Sequence, residues 1–167
     1  MNPNMSPIDW ARRPIDRYTD FAGRAPRAEY WWFSLALFVV FLVLWIIQFM
    51  VPAGGMIGGA VWLITMLLSL ATLVPMLAVG VRRLHDTNRS GWWMLLLAPY
   101  AVALFLWARA MGAANPQEIQ TAGLVGILGL VCVIALLVFM VLPSTPGDNR
   151  YGPNPYGETA ATIPANS

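Results

Sequence analysis

His85 is the sole histidine of the chain. It stands beside Asp86 in a polar island, Arg82-Arg83-Leu84-His85-Asp86-Thr87-Asn88-Arg89-Ser90-Gly91-Trp92-Trp93, set between apolar stretches. An imidazole titrates near neutral pH and a carboxylate can orient it, so general acid–base work is one chemistry this pair could do. Metal binding is another. It needs three or four ligands, and Glu29 and Asp148 are the residues that could join His85 and Asp86 on one side of a membrane. Against both, adjacent residues in a turn need not face each other. The sequence also has no glycine-flanked serine elbow, no phosphate-binding glycine loop and no paired metal motif. The sequence therefore assigns no catalytic residue, no metal site and no cofactor.

Two prolines offer a different chemistry. Pro75 lies seven residues before Arg82 and Pro99 eight after Gly91, which puts each about 10 to 12 Å along a helix from the island. A proline inside a helix frees the carbonyl four residues earlier, here Ala71 and Leu95. Freed carbonyls at matched depth could line a hydrated pocket beneath the island.

The elements that hold these residues follow from composition. Hydrophobic residues make up 58% of the chain and charged residues 11%, against about 25% charged in a soluble domain. No charge occurs from Tyr30 to Val81, from Ser90 to Ala108 or from Ile119 to Gly147, and a bilayer crossing needs roughly 20 residues. Pro52-Ala53-Gly54-Gly55 divides the first run. The expected fold class is all-α, a polytopic membrane protein with four transmembrane helices at about 27–51, 56–81, 91–110 and 122–142. Residues 1–25 form an N-terminal segment with a short interfacial piece carrying Trp10 and Tyr18. Residues 26–142 form the membrane domain, and 143–167 a turn-rich tail, disordered beyond Glu158. The first thirty residues lack the apolar core of a signal peptide, so the first helix is expected to be retained. Cys132 is the single cysteine, and it excludes an intrachain disulfide.

Arginines set the orientation, because short loops rich in Lys and Arg stay cytoplasmic. Arg12, Arg13, Arg17, Arg24 and Arg27 precede the first helix, Arg82, Arg83 and Arg89 lie in the second connection, and Arg150 lies in the tail. With four spans all of these fall on one side, so both termini are expected inside. Arg82 and Arg83 should follow the last apolar turn of their helix and reach lipid phosphate. Asp86, Asn88 and Ser90 should serve as turn and cap residues, and Gly91 should supply conformational freedom. Trp31, Trp32, Trp92 and Trp93 are expected as interface anchors. Gly54 with Gly58, Gly55 with Gly59, and Ala122 with Gly126 have the spacing that lets helix backbones approach, and Gly123, Gly126 and Gly129 add a small face. Ser69, Thr65 and Thr72 can bond their own helix backbone.

Three blocks together resemble one family: Phe21-Ala22-Gly23-Arg24-Ala25-Pro26-Arg27-Ala28-Glu29-Tyr30-Trp31; Arg82-Arg83-Leu84-His85-Asp86 with Ser90-Gly91-Trp92-Trp93; and Gly147-Asp148-Asn149-Arg150-Tyr151-Gly152-Pro153-Asn154-Pro155. The resemblance is to the domain-of-unknown-function 805 family of small bacterial inner-membrane proteins. It implies a multi-span membrane protein and carries no activity with it.

The candidate functional face is the expected cytoplasmic meeting of these blocks: Arg24, Arg27, Glu29, Arg82, Arg83, His85, Asp86, Arg89, Asp148, Asn149, Arg150 and Tyr151. A membrane interaction or scaffold protein accounts best for small size and interfacial arginines. A transporter or channel subunit acting as an oligomer is the alternative; no ionisable residue sits within an apolar run, leaving Gln48 and the proline kinks as its polar leads. An enzyme is the least favoured class. The expected partners are the lipid bilayer, anionic lipid headgroups and a second copy or another membrane protein. Nucleic acid is excluded, because the arginines flank helices and form no continuous basic run.

Overall fold

The computed structural model describes residues 5–52, 55–113 and 116–156. Apart from a single β-bridge between Asn149 and Gly152, the elements described are helical. Helix α1 spans Pro7–Asp16, α2 Arg27–Met50 and α3 Met56–Asp86; a 3-10 segment over Gly91–Leu97 leads into α4, Ala98–Ala113, and α5 spans Pro116–Val141. Among the described residues four spans are long and apolar enough to cross a membrane: α2, α3, the combined Gly91–Gly112 and α5.

Local chemistry explains the boundaries. Helix α1 begins in a capping box, with Ser6 accepting from the Asp9 amide and Asp9 from the Ser6 amide, and Pro7 stands where a missing N–H costs nothing. Helix α2 likewise starts after Pro26. Helix α3 runs five residues beyond the expected end. At 31 residues it is about 46 Å long, more than the roughly 30 Å of hydrocarbon requires. It stops in a Schellman arrangement: Asn88 is left-handed at φ 58°, its N–H bonds the His85 carbonyl at 2.9 Å and the Arg89 N–H bonds Leu84 at 2.9 Å, which satisfies the last carbonyls. The first half of the island is thus helix, not hairpin.

The third span also departs from expectation. Its first seven residues are 3-10, and α4 starts at Ala98, so Pro99 lies in a first helical turn and kinks nothing. Ser90 caps the 3-10 segment by accepting from the Trp92 amide. Gly91 is required by close approach rather than by backbone freedom, because a Cβ there would lie 2.8 Å from Val81 Cγ1. Helix α5 begins six residues before the expected start.

Helices α4 and α5 pair through small residues. Ala103, Ala110 and Ala122 are buried, and a Cβ on Gly129 would meet the Tyr100 backbone at 2.8 Å. The Ala122 and Gly126 spacing therefore serves packing as expected, whereas Gly123 and Gly59 face open space. Gly54 and the tail from residue 157, with its expected disorder, lie outside the described residues. Thr65, Ser69 and Thr72 donate to carbonyls of their own helix.

The best-packed region is at one end of the bundle. Ala25, Tyr30, Phe33, Val79, Leu84, Leu136 and Met140 form the buried apolar cluster, where the starts of α2 and the 3-10 segment meet the ends of α3 and α5. Away from it, the α4–α5 pairing apart, the helices leave most of their apolar surface uncovered. In the most apolar window of each span, 6% of residues are buried within the chain for α2, 22% for α3, 11% for the third span and 17% for α5.

Candidate functional site

The same end of the bundle holds a cap of buried charge. Arg82, Arg83, Glu29 and Asp86 are all at 0% exposure, and Arg24 is buried with them. Burial of five charged side chains is costly unless each is paired and hydrogen-bonded, so the partners define the site.

Asp86 is the hub. Its Oδ1 accepts from Arg24 Nε at 3.0 Å, and its Oδ2 accepts from Arg83 Nη1 and from the Ser144 hydroxyl. Arg24 comes from the loop before α2, which is held against α3 by the Ala25 amide donating to the Arg82 carbonyl at 3.0 Å. The rest of the Arg24 guanidinium binds the tail, with Nη1 on the Gly147 carbonyl at 2.7 Å and Nη2 on the Thr145 carbonyl at 2.8 Å. Arg83 donates through Nε to the Met140 carbonyl at 3.1 Å and through Nη2 to Leu142. Arg27 Nε reaches the same Leu142 carbonyl at 3.0 Å. Two guanidiniums thus take the place of a conventional C-cap at the orphan carbonyls ending α5.

A second pair lies beside the hub. Arg82 Nη1 donates to Glu29 Oε1 at 2.5 Å, and Arg13 on α1 approaches Glu29 Oε2 at 3.7 Å. Arg82 Nε and Nη2 and Glu29 Oε2 have no hydrogen-bond partner among the described residues. Nearby, Arg17 Nε bonds Asp20 Oδ2 at 2.9 Å, and this contact holds the Asp20 carboxyl below its ordinary range.

His85 and Asp86 diverge, as consecutive helical residues must at 3.6 per turn. The His85 ring stacks on Tyr151 with centroids 3.8 Å apart and planes at 4°. Its Nδ1 faces the Gly23 carbonyl at 3.2 Å, where it serves as the donor. Asn149 Nδ2 donates to the His85 carbonyl at 2.9 Å, and Arg150 lies over Tyr151, 4.7 Å from its centroid, while donating to the Asn88 carbonyl at 3.2 Å. The proposed metal quartet disperses: Glu29 and Asp86 are consumed by arginines, His85 by Tyr151 and Gly23, and Asp148 is exposed, accepting from the Asn154 amide at 3.3 Å. Among the described residues no three His, Cys, Asp or Glu side chains gather to hold a metal ion.

Arg24, Arg27, Glu29, Arg82, Arg83, His85, Asp86, Asn149, Arg150 and Tyr151 are therefore brought together, and Asp148 and Arg89 lie outside the network. Arg89 covers the Phe139 ring at 4.4 Å. Arg82 and Arg83, expected at lipid phosphate, are instead buried, because α3 continues through them into the cap. Trp92 is 77% exposed, and Trp31, Trp32 and Trp93 are also exposed, as anchors require.

The proline pocket is overturned. Pro75 is buried, but the Ala71 carbonyl it frees accepts from the Tyr18 hydroxyl. The Leu95 carbonyl accepts from the Ala98 amide, and Gly129 abuts the Pro99–Tyr100 backbone. Both carbonyls thus have protein partners. Tyr18, expected only in an interfacial piece, Arg13, expected only to set orientation, and Ser144 and Thr145 were absent from the candidate face; the freed carbonyl above Pro75 was the signal that a donor such as Tyr18 was needed.

Comparison with known proteins covers the same three blocks. Residues 18–153 match the family described as protein of unknown function DUF805. The chain is 32% identical over 148 residues to the inner membrane protein YhaH of Escherichia coli, covering 89% of this chain and 97% of that one. It is 33% identical over 148 residues to the inner membrane protein YhaI of the same species, covering 89% and 96%. A stretch of 88 residues, 48% of this chain and 52% of the relative, is 34% identical to the uncharacterized protein YiiR. No solved structure matches. The chain belongs to the DUF805 family.

Proposed function

We propose that this family member resides in the bacterial inner membrane with both termini cytoplasmic and acts as a membrane interaction or scaffold protein. One observation carries the reading. Polar residues of three distant blocks bind one another in a cap at one end of the bundle, while the helices beyond it bury between 6% and 22% of their most apolar windows within the chain. A chain built this way has one well-packed end and broad apolar flanks for membrane neighbours, and its buried carboxylates, Glu29 and Asp86, are each engaged by arginine. No catalytic role is assigned to His85 or Asp86.

Crosslinking in native membranes followed by mass spectrometry tests the role. A stable heterologous partner is expected, and self-association alone would replace the scaffold reading with an oligomeric channel subunit. That second reading has its own observation: the Gln48 amide oxygen is buried without a partner among the described residues, in a side chain that lines, with Thr65, a 410 Å³ groove between α2 and α3. Orientation is tested by alkaline phosphatase fused after Leu142, which is expected to be inactive; activity there would overturn the placement of the cap in the cytoplasm.

A further inference from the structure

Two hollows meet at Pro143. The first is a polar cavity of 280 Å³ between the start of α2 and the tail, lined by Arg27, Ser144, Asn154 and Tyr156 with Pro143 and Pro146. The second is an apolar groove of 460 Å³ on α5, lined by Ile134, Leu137, Val138 and Val141 and closed by Leu142 and Pro143.

The polar cavity is rich in unused donors. Arg27 spends only Nε, on the Leu142 carbonyl, and its two terminal nitrogens bond nothing among the described residues. Asn154 uses its amide oxygen on the Tyr156 N–H, and its NH₂ group bonds nothing among the described residues. The Tyr156 hydroxyl accepts from the Arg27 amide, and its proton is donated to nothing among the described residues. Of the acids nearby, Asp86 is occupied by Arg24, Arg83 and Ser144, and Asp148, exposed to solvent, accepts from the Asn154 amide at 3.3 Å. Arg83 shares the Leu142 carbonyl with Arg27, and the buried cap holds three arginines against two carboxylates. A small cavity with free donors, an unpaired guanidinium and a positive surround suits a phosphate oxyanion.

The groove identifies the rest of the ligand. Ile134, Leu137, Val138 and Val141 follow the i, i+3, i+4, i+7 rule of one helix face, so the groove runs about 10 Å along α5. It starts where the polar cavity ends. Trp31 and Trp32, one turn beyond Arg27, are half exposed, the position expected at headgroup depth. We propose that cavity and groove form one site for an anionic phospholipid, with its phosphate held by Arg27, Asn154 and Tyr156 and an acyl chain laid along α5. Free phosphate shares the headgroup chemistry and lacks the chain.

The test uses the full-length protein, purified in detergent, delipidated and titrated by native mass spectrometry with dioleoyl phosphatidylglycerol, dioleoyl phosphatidylcholine or inorganic phosphate. Phosphatidylglycerol is expected to bind in a one-to-one adduct in preference to phosphatidylcholine. Arg27→Gln is expected to weaken it about tenfold. Arg12→Gln, which alters a side chain 76% exposed on α1, should leave it unchanged. Val138→Trp fills the groove without touching the cavity and should displace the lipid; should Arg27→Gln fail to fold, this variant decides. Equal losses in Arg27→Gln and Arg12→Gln would mean surface attraction alone and overturn the site. Full displacement by millimolar phosphate, with Val138→Trp silent, would reassign it to a soluble phosphate and overturn the lipid. Lipid retention by the purified chain requires neither a protein partner nor a particular orientation, so its failure and that of the scaffold reading are separable.

Discussion

Asp86→Ala removes the hub of the cap at the last residue of α3. Asp86 accepts from Arg24 Nε, Arg83 Nη1 and Ser144 Oγ, and the two arginine side chains are 1% and 0% exposed. With the carboxylate gone, both guanidiniums remain buried with one counter-charge fewer, a loss of about 3–5 kcal/mol when a buried pair is broken from one side. The exposed Arg109–Glu118 pair, with side chains 61% and 28% accessible, is the internal control, and Glu118→Gln should cost about 0–1 kcal/mol. Reversible unfolding in mixed micelles of rising SDS fraction, followed by circular dichroism, measures both. A second variant, Asp86→Leu with Arg83→Met, replaces the pair by apolar groups and should recover part of the loss, since the penalty lies in the unpaired charge. If Asp86→Ala costs no more than Glu118→Gln, the cap is solvated in the bilayer and the reasoning from burial fails.

The Tyr18 hydroxyl serves the Ala71 carbonyl that Pro75 leaves free, so Tyr18→Phe should cost about 0.5–1.5 kcal/mol and much less in a Pro75→Ala background, where an amide returns to that carbonyl. Additive losses in the double-mutant cycle would deny the coupling. Gly129→Ala would drive a Cβ to 2.8 Å from the Tyr100 backbone, whereas Gly123→Ala enters open space; the first should cost about 1–3 kcal/mol in the same unfolding assay and the second nothing measurable. Equal effects would show that α4 and α5 slide apart freely.

Four spans were legible because charge-free runs long enough to cross a bilayer are an unambiguous signal, and the small residues of α5 marked its contact with α4. The three blocks were legible as parts of one face, since arginine placement assigned them to one side. Burial was not. An arginine at a helix end has the same appearance in sequence whether it reaches lipid phosphate or turns inward, and the choice for Arg82 and Arg83 depends on partners 53 and 57 residues away. The extension of α3 through Asp86 was hidden for the same reason: local composition favoured a turn at Arg82, and tertiary pairing of Glu29, Arg24 and the tail outweighed it. Pro99 was misplaced because a 3-10 start has no period that distinguishes it from α-helix over seven residues.

The cap also answers why a chain this apolar carries buried charge at all. Against lipid, packing one leucine-rich face on another yields little net driving force, and faces as uniform as those of α2 and α3 do not discriminate one register from the next. A slip of one residue would rotate Glu29 away from Arg82 and leave both charges unpaired, a penalty far larger than any difference in apolar contact. Arg24, anchored to Asp86 and to the carbonyls of Thr145 and Gly147, extends the same logic to the tail, which has no helix of its own to hold it. The buried ions therefore act as register keys: they cost desolvation, and they leave only one alignment of α2, α3, α5 and the tail in which every carboxylate meets its arginine.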